Sequence, residues 1–95
     1  MKCCLITLMI YGFEQVNVSA IKRSAEEHWP FERWDSRGRL RTSGRNALDD
    51  NLTEEDFVDR LSSAIWRANG TFCFITIVIS REYVLGEADY AKLIG

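Results

Sequence analysis

The chain has one histidine, one proline and three cysteines, and neither sign of charge is in large excess. Each scarcity closes off a class of function. A single histidine, His28, leaves no pair for a histidine metal site or a histidine relay. It falls near the end of a predicted helix, where the dipole favours its positive form, and we read it as structural. The cysteines are odd in number, and Cys3, Cys4 and Cys73 all lie in apolar runs. Adjacent Cys3 and Cys4 point to opposite faces of a strand, which suits neither a mutual disulfide nor a metal pair. Three reduced core thiols in a cytoplasmic protein are expected. A net charge of −2 gives no overall pull toward nucleic acid or acidic lipid.

No apolar run approaches the roughly 20 residues of a membrane span. The stretch Met1–Gly12 has the look of a signal peptide, but its apolar part is short and no small-residue cleavage site follows. It reads instead as a core strand. The glycines form no phosphate loop, since Thr42-Ser43-Gly44-Arg45 lacks the spacing and the following helix. No carboxylate stands in an apolar run where its pKa would rise. The expectation is a protein that is not an enzyme, with no catalytic residues, cofactor or metal.

What is there is an ordinary globular composition, 46% apolar and 27% charged, in a chain long enough for one domain over residues 1–95. The clearest segment is Leu52–Gly70. Thr53 is an N-cap candidate, Leu52 and Phe57 are spaced as a hydrophobic staple, and Asn69-Gly70 supplies a C-terminal stop. Phe57, Leu61, Ala64, Ile65 and Ala68 form one helical stripe. A β-branched run, 71–79, follows as a strand.

The first strand covers 3–11 and is apolar on both faces, which predicts a central position. Asn17 is expected to cap a helix over Val18–Trp29, with Val16 and Ile21 as a second staple and Pro30 as its stop. Phe31–Asp35 and Leu40–Leu48 are expected to pair as two strands around Ser36-Arg37-Gly38-Arg39. Residues 82–94 would begin extended and end in a short helix. The resulting order, β-α-β-β-α-β, predicts a ferredoxin-like α+β sandwich. It has two helices on one face of an antiparallel sheet and a short C-terminal tail element. Its last strand would be a long apolar edge, to be covered by the tail or paired with another chain.

Two opposite charge clusters are the candidate contact sites. Arg33, Arg37, Arg39, Arg41 and Arg45, with Trp34 among them, would make a basic hairpin suited to phosphates or stacked bases. Asp49, Asp50, Glu54, Glu55 and Asp59, together with Asp56, make an acidic run with no basic residue inside it. Acids at a helix start are good helix design. Asp49, Asp50 and Asp59 exceed what capping needs and could occupy a basic groove on a partner. Phe72-Cys73-Phe74-Ile75 and Trp66 are read as packing.

The stretch Thr53-Glu-Glu-Asp-Phe-Val-Asp-Arg-Leu, then Ala64-Ile-Trp-Arg-Ala-Asn-Gly, an apolar strand and Asp89-Tyr90, resembles small proteins carried by phages and mobile elements of bacteria. The resemblance covers residues 49–90, and compact proteins of that kind include anti-CRISPR inhibitors. It implies a cytoplasmic inhibitor that binds a host protein or protein–nucleic-acid complex. Direct nucleic-acid binding through the arginine hairpin ranks second, and a structural homodimer third.

Overall fold

The computed structural model describes residues 2–82. Strand β1 (Lys2–Tyr11) leads through a 3-10 turn at Gln15–Asn17 into helix α1 (Val18–His28). Strand β2 (Leu40–Leu48), helix α2 (Glu54–Asn69) and strand β3 (Phe74–Glu82) follow. The sheet runs β2-β1-β3 with both pairings antiparallel. It is an α+β fold with β1 central, as its apolar faces predict.

Alternation along β1 divides the sheet into two sides. Cys4, Ile6, Leu8 and Ile10 are fully buried. Ile21, Ala25 and Trp29 meet them from the α1 side and Phe57, Leu61 and Ile65 from α2. The predicted stripes therefore supply the core, apart from Ala64, which is half-buried and lies outside it. Leu5, Thr7 and Met9 face the other way and are half-buried, with no described element over them.

Helix α2 begins and ends on its sequence signals. The Thr53 hydroxyl accepts the Asp56 amide at 3.0 Å, and Gly70 takes a left-handed φ of 82° at the C-terminus. Helix α1 does not start as expected. Asn17 sits at its N-cap without a capping bond; its side-chain amide instead donates to the Asn69 carbonyl at 2.7 Å. Val16, expected as a staple, is 89% exposed because it lies within the 3-10 turn.

The expected strand over Phe31–Asp35 shrinks to one bridge, Asp35 with Arg41, plus a bond from the Glu32 amide to the Ser43 carbonyl. Local chemistry explains this. Trp29 and Phe31 turn into the core, and Pro30 between them has no amide to donate. The Trp29 indole N–H takes the Gly44 carbonyl at 2.8 Å. At this crossing a Cβ on Gly44 would meet the Pro30 carbonyl oxygen at 2.3 Å. Gly44→Ala should therefore cost about 1–3 kcal/mol or more by forcing two backbones apart. Urea denaturation measures it, and an unchanged midpoint would mean the crossing yields freely.

The predicted tail at 83–94 lies outside the described residues.

Candidate binding surface

The side of the sheet away from the helices carries the surface most unlike an ordinary exterior. In register, Met9 faces Arg41 on β2 and Thr76 on β3; Leu5 faces Arg45 and Ser80; Thr7 faces Ser43 and Val78. Arginines therefore line β2, apolar residues line β1, and Tyr11 pairs with Phe74 at one end.

That end continues into an aromatic ridge. Phe74 is 64% and Phe72 60% exposed. Phe72 meets Phe74 edge-on at 5.3 Å between ring centroids and stacks on Trp66 at 5.4 Å. The Trp66 indole donates to the Cys73 carbonyl at 2.8 Å, which anchors the ridge to the start of β3. The reading of Phe72–Ile75 as core is thus half right. Cys73 is buried and Ile75 packs inward, while both phenylalanines face out. Strand periodicity places alternate residues on opposite faces, but it does not say which face is covered. Aromatic rings held in place and partly exposed are the usual anchors of interfaces.

The basic cluster divides. Arg41 and Arg45 lie on the open sheet face, while Arg33, Arg37 and Arg39 belong to the connection before β2. Arg37 helps close that connection, its amide donating to the Asp35 carboxylate at 3.1 Å. Trp34 is engaged within the domain. Its indole donates to Glu26 at 2.9 Å, its ring meets Phe31 edge-on at 6.0 Å, and the Lys22 ammonium lies 5.9 Å from its centre. It is a wall against α1 rather than an open stacking platform.

The acidic cluster lies at the β2–α2 connection and on the helix layer. Asp49 accepts the Asn51 amide at 2.9 Å and shapes the connecting turn. Glu54 pairs with Arg81 at 2.6 Å. Glu55 and Asp59 are exposed on α2, and Asp59 borders a shallow hollow with His28, Arg60 and Arg67. Asp50 is exposed in the turn before α2. The fold thus carries the acids of α2 and the arginines of β2 on different layers.

Sequence reasoning took Asn69 only as part of the helix stop and missed its bonds. It is buried, its side-chain carbonyl accepts the Glu14 amide at 2.8 Å, and its amide donates to the Thr71 carbonyl at 3.1 Å. It ties the loop after β1 to the end of α2 and so seats the ridge.

The three cysteines are free thiols, and burial pushes the Cys73 thiol up from its ordinary value. A thiol so shifted is a poor nucleophile. Among the described residues, no group of three or more histidine, cysteine or acidic side chains could hold a metal ion. No described helix is long and apolar enough to cross a membrane. No family model, no curated protein and no solved structure matches this chain.

Proposed function

We propose that the protein is a non-enzymatic binding protein whose working surface is the open face of its sheet. The observation that carries this is the exposed ridge Trp66–Phe72–Phe74, continued by Tyr11 at one end of a sheet face whose β2 side carries Arg41 near that end and Arg45 farther along. Aromatics and arginine are the residue types enriched where proteins dock. In this reading the architecture is a ferredoxin-like sandwich whose second strand has shortened to the Phe31–Asp35 segment. The free thiols suit a reducing compartment such as the cytoplasm. The partner is a host protein or protein–nucleic-acid complex, and an inhibitor of a CRISPR effector is the form that the resemblance to phage and mobile-element proteins implies. Asp49, Asp50 and Asp59 lie off this face, at the β2–α2 connection and on the helix layer, and would act on basic residues of that partner through longer-range charge, mainly tuning association rate and specificity.

A second reading is favoured by Tyr11 and Phe74 lying side by side on the face that carries Arg41 and Arg45. Rings at one end of a face that also carries cations can stack bases and hold phosphates of a single strand. Against it stands the net charge of −2, since each phosphate contact requires a positive group.

The test compares wild type with Phe72→Ser/Phe74→Ser, Arg41→Glu/Arg45→Glu and Asp49→Lys/Asp50→Lys/Asp59→Lys. Each is used for capture from host lysate and for titration with labelled single-stranded oligonucleotides. All variants should fold, because these side chains are exposed. The expected result is a partner retained by wild type and lost by both the phenylalanine and arginine variants, with oligonucleotide binding absent at physiological salt. Capture indifferent to both variants would remove the sheet face from the function. Tight, steeply salt-dependent oligonucleotide binding would promote the second reading.

A further inference from the structure

We propose that β3 pairs with β3 of a second copy of this chain, antiparallel about a two-fold axis at Ile77, joining two three-stranded sheets into one. The argument starts from a mismatch of burial across paired positions. Ile6, Leu8 and Ile10 on β1 are fully buried, yet their cross-strand partners Ile79, Ile77 and Ile75 are only half-buried. The helix layer covers β1 and reaches β3 only in part. On the opposite face Val78 is 51% exposed. Among the described residues, nothing pairs with the outer side of β3.

Edge strands that stay single normally carry a charge, a proline or a bulge. From Phe74 to Ser80 there is no charged residue and no proline, and the register with β1 runs without a break. The charges of β3 are confined to its end, Arg81 and Glu82, and the stretch before them has the composition of an interior strand at an edge position.

The sequence of β3 is also self-complementary. Only alternate residues turn their N–H and C=O groups away from β1, so a symmetric pairing must match each residue with one of the same parity. Centred on Ile77, Ile75 meets Ile79 of the second copy and Ile77 meets its own counterpart. Thr76 meets Val78, and Phe74 meets Ser80. Moving the centre to Val78 would set Arg81, which is bonded to Glu54, against Ile75. The Ile77 centre keeps all three isoleucines opposite isoleucines. A two-fold axis normal to the sheet keeps both helix layers on one side. The two open faces then form one surface with Arg41 and Arg45 at each outer margin. The pairing rests on the edge of β3 and does not depend on the reading of the aromatic ridge.

Sedimentation equilibrium of the full chain, with Val78→Lys beside it, tests the pairing. Wild type should sediment at twice the 11.0 kDa chain mass at micromolar concentration. Val78→Lys should weaken association by about tenfold or more while its thermal unfolding is kept, since the site is already exposed in one copy. Register is read with Ile77→Cys. Residues directly opposite lie about 4.5–5.5 Å apart at Cα, within disulfide range, so oxidation should give a covalent dimer. Wild type and Ser19→Cys should give none. A wild-type monomer throughout would overturn the proposal and leave residues 83–95 or a foreign partner as the cover of the edge. A dimer indifferent to Val78→Lys would overturn it too, and a dimer that Ile77→Cys fails to cross-link would overturn the register.

Discussion

Trp29→Ala should lower unfolding free energy by about 3–5 kcal/mol, the range for emptying the site of a buried large aromatic. Trp29 is 4% exposed, and its ring stands edge-on to Phe57 at 5.4 Å. It bridges α1, α2 and β2 at once. Trp29→Phe divides the effect into parts. Phenylalanine retains much of the packing but leaves the Gly44 carbonyl without its indole donor, a buried loss of about 1–3 kcal/mol. Urea denaturation should therefore rank wild type above Trp29→Phe and Trp29→Phe above Trp29→Ala. Equal midpoints for the two variants would mean that the hydrogen bond, not the packing, carries the contribution.

Leu61→Ala should cost about 2–5 kcal/mol, against a total stability of about 5–15 kcal/mol for a domain of this kind. Leu61 is fully buried at the middle of α2 and belongs to the same core as the inward residues of β1. With a core this small, neighbouring side chains have little freedom to collapse into the space left behind. The measurement is the shift in urea midpoint at constant slope. A cost under about 1 kcal/mol would place the centre of the core elsewhere.

What could be read from the sequence followed from signals that are local. Thr53 and Gly70 delimit α2 because capping depends on groups within one turn. The two-sided apolar pattern of β1 marked it as central because only a covered strand tolerates it. What was illegible depended on contacts between distant segments. Gly44 reads as one position of the expected strand Leu40–Leu48, and it is; that the Pro30 backbone passes over it, leaving no room for a Cβ, could not be read. Asn17 reads as a cap, yet it makes no capping bond, and its side-chain amide donates instead to the Asn69 carbonyl across the fold. The two charge clusters were visible as composition. Their separation onto different layers, and the outward turn of Phe72 and Phe74, needed the sheet's covered side to be known.

The bonds around Asn69 also govern how the protein ages. Asn69 precedes Gly70, and an asparagine before glycine is readily attacked at its side-chain carbonyl by the following backbone nitrogen, which closes a succinimide and releases ammonia. In the folded chain the Gly70 amide is committed to the Trp66 and Arg67 carbonyls, and both ends of the Asn69 side chain are held. Unfolding releases all of these groups together. The aspartate or isoaspartate then formed cannot donate to Thr71 and would bury a carboxylate between the loop after β1 and the end of α2. Time spent unfolded thus becomes a chemical clock, and loss of structure that starts as reversible hardens into permanent damage.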